Sequence, residues 1–240
     1  MRKFILNNMK NEKKHGEWLS IIELITCDPV LYSVLKYCPL DILCHWRLKH
    51  FSQGATVFRQ GETCEEFYLI VKGEFNVFIT AEDGRKYSQA RYNKGDMLGE
   101  LEIFEQRPYI CSVEAVSDGT LLVITGEDFS RWLTLDNFFN QKILQAVSNQ
   151  YYQLSKKAGE DILYSLHQRI CLVLWQKYQQ QDNQQPVLMI NKQQLSEQFA
   201  VAPRSINRIL FELRESNIIA INGEKIHILD VQRLQQNAEH

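Results

Sequence analysis

Between Leu188 and Leu229 the chain spells out a short helix, a three-residue turn, a second helix and an Asn-Gly hairpin, in that order. Few small folds accommodate that succession. Leu195 and Phe199 stand four apart and share the core-facing side of the first helix. The turn Ala200-Val201-Ala202 follows, and Pro203 opens the second helix at a position where its missing N–H costs nothing. Ile206, Ile209, Leu210 and Leu213 repeat at i, i+3, i+4, i+7 and predict the buried stripe. Arg204, Ser205, Asn207 and Arg208 are left on the outward side of the first turn and a half. Ile218–Ile221 and Lys225–Ile228 flank Asn222-Gly223, a strong short-range hairpin signal. A helical pair with such a wing is a winged helix-turn-helix.

The outward residues carry the chemistry. In helix-turn-helix docking, the start of the second helix meets base edges in the major groove. Arg matches the paired acceptors of guanine, Asn the edge of adenine, and Ser serves either. Asn191, Lys192 and Gln193 begin the first helix, where backbone N–H groups suit phosphates rather than bases. The competing reading is a helical hairpin that only packs, with Arg and Asn as solvated surface. Total charge does not decide between them. From residue 162 onward eight Lys/Arg face seven Asp/Glu, so any case for DNA rests on where the cations sit.

Upstream, Trp18, Leu19, Ile21, Ile22 and Ile25 predict one helical stripe and Val30, Leu31, Val34 and Leu35 another, punctuated by Asp28-Pro29 and Cys38-Pro39. From His50 to Ile124 short aromatic or β-branched runs alternate with Gly54, Gly61, Gly73, Gly84, Gly95 and Gly99, the sign of an antiparallel sandwich or barrel. Glu82-Asp83-Gly84-Arg85 predicts a hairpin turn. Helical spacing returns over Asp128–Lys157, with Phe138, Ile143, Ala146, Val147 and Leu154 as apolar positions. Gly159 is expected to end that helix, which in a two-fold dimer would pack against its own copy. A further helix is expected over Ile162–Gln179, with Leu163, Leu166, Ile170, Leu174 and Trp175 on one side, and then a polar loop.

With 240 residues, 45% of them hydrophobic and 23% charged, the composition is that of a globular protein. No run approaches the ~18 apolar residues of a membrane span, and Phe4-Ile5-Leu6 is too short for a signal-peptide core. A cytoplasmic location with six reduced cysteines is therefore expected. Phosphate-cradling loops, nucleophile elbows and paired metal-binding His are all missing from the sequence, so no enzyme is expected.

The chain, from about His45 to Leu229, resembles the cyclic AMP receptor protein / fumarate-nitrate regulator superfamily of bacterial transcription factors. Three segments carry the resemblance. His50–Glu62 with Phe67–Gly73 is similar to the first β-roll strands, Lys94-Gly-Asp-Met-Leu-Gly-Glu-Leu101 to the start of the cyclic-nucleotide cassette, and Ile190–Leu210 to the helix-turn-helix. The resemblance implies an α+β chain. An N-terminal cyclic-nucleotide-binding-like β-roll (jelly roll) with its preceding helices would occupy 1–135, a long dimerisation helix 136–160 and the winged helix-turn-helix 161–240. It also implies a homodimer that binds double-stranded DNA and RNA polymerase. Arg204, Ser205 and Arg208 fall where members contact bases, and Asn191–Gln193 where they touch the backbone. Arg204 stands where Glu is frequent, so a different operator is expected. Ala202 replaces the usual hydroxyl N-cap, a loss of ~1 kcal/mol.

The sensor half matches less closely. Gly99-Glu100-Leu101 is in place as an effector turn, but the Arg-Ser pair that grips the cyclic phosphate in members becomes Tyr109-Ile110, leaving Arg107 as the one rescue. Cyclic nucleotide is therefore not expected as the effector; a nucleotide-responsive regulator is the alternative. A second alternative is an iron–sulfur sensor using Cys27, Cys38, Cys44 and Cys64, although their spacing lacks a tight Cys-x2-Cys pair. Haem would have only His45 and His50 to draw on. The expectation is a chain without cofactor or metal, with Glu100 either a ligand contact or a carboxylate fixing the turn.

Overall fold

The computed structural model describes residues 19–181 and 187–239, so Trp18 and residues 182–186 lie outside it. The chain forms two compact units, one running up to Ile79 and resuming over Gln89–Gln150, the other made of Thr80–Ser88 and Tyr151 onward.

In the first unit a helix over 19–27 (α1) leads to α2 (Pro29–Leu35) and α3 (Leu40–Leu43). Asp28 caps α2, its Oδ1 accepting from Val30 N at 3.0 Å and Leu31 N at 3.3 Å, with Pro29 at the first helical position. The expected stripes hold at Ile21, Ile25, Leu31, Val34 and Leu35, whereas Leu19 and Val30 are exposed.

The strands are β1 (Arg47–Phe51), β2 (Thr56–Phe58), β3 (Glu66–Lys72), β4 (Phe75–Thr80), β5 (Lys86–Tyr92), β6 (Met97–Leu98), β7 (Ser112–Ala115) and β8 (Gly119–Thr125). They make two four-stranded sheets, ordered β1-β8-β3-β6 and β2-β7-β4-β5. Phe67–Val71 and Leu121–Ile124 are buried without a break. Alternation explains it, because successive strand residues point to opposite faces and both faces are covered. Tyr68, Ile70, Leu121 and Val123 meet Phe58, Phe75, Val77 and Val113 of the facing sheet. Phe67, Leu69, Leu122 and Ile124 meet Ile21, Leu31, Ile42, Phe129, Trp132 and Phe139 from the helices and Trp46 from the segment before β1. Each such side chain contributes ~1.5–3 kcal/mol of burial.

Helix α4 (Glu100–Glu105) follows β6, and after β8 come α5 (Gly126–Leu135) and α6 (Asn137–Leu163). The continuous helix expected from Asp128 is broken at Asp136. Its Oδ1 accepts from Phe138 N at 2.9 Å and Phe139 N at 3.1 Å, and its Oδ2 from Trp132 Nε1 at 3.0 Å. The restart moves the buried register by one residue. Phe139 is fully buried against Trp132, while Phe138 is half-buried in a T-shaped contact with Tyr37. Gly159 does not end α6, which runs on to Leu163. Nothing lies within 4 Å of where a Cβ at Gly159 would sit, and a helical Gly costs only ~1 kcal/mol relative to Ala.

The second unit holds α7 (Leu166–Gln179), β9 (Val187–Met189), α8 (Lys192–Gln198), α9 (Pro203–Glu215), β10 (Ile219–Asn222), β11 (Lys225–Ile228) and α10 (Val231–Glu239). Helix α7 starts later than the expected Ile162 because Ser165 closes a capping box with Gln168, leaving Ile162 and Leu163 exposed. Ile170, Leu174, Leu195, Phe199, Ile219 and Ile226 share one core with the four apolar residues of α9. The wing turns on Gly223-Glu224, one residue beyond the expected Asn222-Gly223, since Asn222 still pairs with Lys225. Gly223 has φ +63°, the positive value a tight primed turn requires of its first central residue. Strand β9 adds a third member to the wing by pairing with β11. So an α+β chain with a β-roll, a long helix and a winged helix-turn-helix is what these residues build.

Candidate nucleic-acid interface

Helix α9 is held by four side chains. Ile206, Ile209, Leu210 and Leu213 are each at most 2% exposed. Opposite them Arg204, Asn207 and Arg208 face solvent, and Ser205 is half-buried at the edge. Pro203 takes the first helical position and Ala202 makes no side-chain cap. The entry turn is fixed instead by its backbone, with Ala200 in the left-handed region at φ +53° and Val201 N donating to Ser196 O at 3.1 Å. Arg208 Nη1 donates to Glu212 Oε1 at 2.9 Å, one turn further on. At the start of α8, Asn191 is the N-cap, accepting from Gln194 N at 3.0 Å. Asn191 and Gln193 are exposed and Lys192 half-exposed, with Gln193 Nε2 donating to Glu197 Oε1 at 3.0 Å. The structure therefore brings the seven sequence-identified residues onto two helix starts of one small unit.

In the β-roll, Gly99 holds φ +90°, and a Cβ there would stand 2.6 Å from Glu66 O, so only glycine fits this turn. The turn delivers Glu100 inward to 4% exposure and leaves Leu101 on the surface. Glu100 Oε1 accepts from Gln150 Nε2 of α6 at 3.3 Å, while Oε2 has no hydrogen-bond partner among the described residues. Burial, with Glu102 and Asp96 adding like charge, pushes the Glu100 carboxyl up to about 7. Half-buried Tyr92 lies in the same field, its hydroxyl raised by desolvation and by Glu100.

Two family models match the chain: the Cyclic nucleotide-binding domain over residues 48–136 and the Crp-like helix-turn-helix domain over 168–237. The chain belongs to the CRP/FNR superfamily of transcription regulators. Among its relatives, the "cAMP-activated global transcriptional regulator CRP" of Salmonella typhimurium is 24% identical over 204 residues, covering 83% of this chain and 93% of that protein. The "Anaerobic regulatory protein" of Bacillus subtilis is 26% identical over 173 residues, covering 69% and 72%. A crp/fnr-family transcriptional regulator from Eubacterium rectale shares the fold with a TM-score of 0.69 at 16% identity, over 88% of this chain and 94% of that one.

Measured against the superfamily's nucleotide pocket, the residues here do not fit a cyclic phosphate. Tyr109 occupies the place of the phosphate-gripping Arg, 4% exposed and stacked on Phe58 with ring centroids 3.7 Å apart. Its hydroxyl donates to Glu66 O at 3.4 Å. Arg107 projects into solvent, its nearest carboxylate being Glu105 at 4.0 Å, and Ile110 is exposed. Glu100 is thus buried while Leu101 and Arg107 face solvent. A phosphate there would meet Glu100, Glu102 and Asp96, and an unpaired buried anion costs several kcal/mol. Among the described residues no three His, Cys, Asp or Glu side chains converge as a metal set, and burial pushes the Cys38 thiol up to about 12. His45 Nδ1 lies 2.9 Å from Asp128 Oδ1, and His50 Nδ1 3.0 Å from Thr120 Oγ1.

The Glu100 carboxyl makes stability depend on pH. Below its ordinary 4.5 the carboxyl is protonated in folded and unfolded chains alike. Between there and about 7 only the folded chain keeps the proton, so stability falls as pH rises through that window and levels off above it. At about 1.4 kcal/mol per unit the decline is on the order of 3 kcal/mol. Glu100→Gln is expected to flatten it and to melt higher than the parent chain at pH 8. Parallel melting curves for the two proteins from pH 4.5 to 8 would contradict this.

Proposed function

We propose that this CRP/FNR-superfamily chain is a homodimeric, sequence-specific transcription regulator that reads double-stranded DNA with Arg204, Ser205, Asn207 and Arg208. Asn191, Lys192 and Gln193 would hold the phosphate backbone. One observation carries the reading. The only face that α9 presents to water at its first two turns is the one bearing two guanidiniums and a carboxamide, while its apolar face is committed to the core. The direct test compares affinity for a selected duplex with affinity for random DNA at one salt concentration. A preference of at least ~10³ is expected; equal affinities would reject it.

Dimerisation is assigned to α6. Leu144, Tyr151 and Ile162 are 67%, 73% and 82% exposed, and with Ser148, Ser155 and Ala158 they follow alternating steps of four and three. That is the spacing of a two-helix seam. Tyr151→Glu is expected to leave a monomer in sedimentation at micromolar concentration and to lose palindromic DNA. An undisturbed dimer would move the interface elsewhere. RNA polymerase is the further partner such a regulator requires, and the cytoplasm is where it would meet both. No helix among the described residues is long and apolar enough to cross a membrane.

We further propose that cyclic AMP and cyclic GMP do not switch this chain and that it carries no metal or cofactor. Supporting this, Tyr109 stands where members carry the phosphate-gripping Arg, its ring stacked on Phe58, and Gln150 hydrogen-bonds Glu100. Titration calorimetry at millimolar nucleotide is expected to register no saturable heat; one site per protomer would overturn the reading.

A further inference from the structure

The outward side of α9 contains one residue that does not belong with its neighbours. Phe211 is 53% exposed on a helix whose other outward residues beyond Pro203 are polar or charged. At 100° per residue it lies about 20° from the line of Arg204 and about 60° from that of Arg208, nearly opposite the buried stripe. It stands ~10 Å along the axis from Arg204, the length of about three base-pair steps. The Arg214 guanidinium sits 4.7 Å from its ring centroid, and Arg214 Nη2 also donates to Glu215 Oε1 at 3.1 Å. One face of the ring is therefore occupied by a cation that steadies it.

Resting on the DNA-reading function above, we propose that Phe211 is a specificity-determining residue that packs against the C5-methyl group of a thymine in the major groove. The thymine methyl is the apolar feature on the floor of that groove, and a Phe ring is a suitable contact for it. Arg204 and Arg208 fix the helix over their own bases by hydrogen bonds, and the ring then meets the groove a further turn along. Single exposed apolar residues are ordinary on protein surfaces. This one sits on the line of the helix that must approach the bases if Arg204 and Arg208 reach them. Withdrawing the ring from water against a methyl supplies affinity that only a thymine, and not a cytosine, can return.

The test uses full-length protein and duplexes selected from random DNA, with each thymine of the half-site replaced in turn by deoxyuridine, which lacks only the methyl. The parent chain is expected to lose affinity at one such position, within three or four base pairs of the position that depends on Arg208. At ~0.8 kcal/mol per buried methyl the loss is about fourfold per half-site and about 15-fold for both. Phe211→Ala is expected to bind the thymine duplex at that reduced level and to be indifferent to deoxyuridine there. Phe211→Tyr keeps the ring and should keep the discrimination. Because the side chain is exposed, the variants should melt with the parent chain. Identical deoxyuridine profiles for the parent chain and Phe211→Ala would overturn the assignment. So would a preferred half-site with no thymine in reach, or an equal loss on random DNA. Failure to select any sequence would instead reject the DNA-reading function itself, and this assignment with it.

Discussion

Replacing Arg208 with alanine is expected to remove most of the preference for a selected operator and little of the affinity for random DNA. A guanidinium bidentate to guanine contributes ~1–3 kcal/mol of discrimination. A two-fold operator loses the contact twice, ~2–6 kcal/mol in all, or roughly 30-fold to 10⁴-fold in affinity. The pair with Glu212 does not stand in the way. Arg208 is 67% and Glu212 45% exposed, and an exposed i, i+4 pair is worth only ~0.3–0.5 kcal/mol. Glu212 can hold the guanidinium pointed outward when DNA is absent and release it at small cost. Binding measured on selected and random duplexes at one salt concentration checks this, and a uniform loss on both would assign Arg208 to a phosphate instead.

Leu210→Ala should produce a loss of another kind. Leu210 is 1% exposed in the core that α9 shares with α7, α8 and the wing. Truncating a buried Leu costs ~2–5 kcal/mol. In a unit of 60–100 residues each kcal/mol lowers the melting temperature by ~4–8 °C, so a fall of at least ~10 °C is expected. Hydrogen exchange should show the loss over α7–β11 and leave the β3 and β8 amides protected. Binding to specific and random DNA should decline together, because the platform fails rather than one contact. A variant that melts with the parent chain would show that this side chain is not a core member.

What could be read from the residues was whatever repeats at a fixed period. The four apolar positions of α9 obey the helical repeat without exception, and all four are buried. Leu195 and Phe199 did the same for α8. The glycine-separated runs from His50 to Ile124 announced the sheets, and the family resemblance supplied the β-roll they form. The misses share a cause, which is a partner distant in sequence or a signal too small to stand out. β9 is three residues with no alternation of its own and exists because β11 offers it an edge. Gly159 reads as a breaker, yet the helix around it continues. Asp136 is flanked by no glycine or proline, and its two backbone bonds make it a cap inside an apparently unbroken helix. An Asp-Asn step before a Phe pair was the available clue. Gln150 meets Glu100 across fifty residues, so no local pattern could pair them. Phe211 escaped notice because an apolar residue off the buried stripe looks like noise until its exposure is known.

The most direct trial of base reading by α9 is selection from random DNA by the full-length chain and by Arg204→Ala. The account predicts a two-fold-symmetric site for the parent chain, with half-site centres one helical turn of ~34 Å apart. For Arg204→Ala it predicts preference lost at one position in each half and kept at the others. Identical sequence profiles from the two proteins, or no enrichment by either, would contradict it.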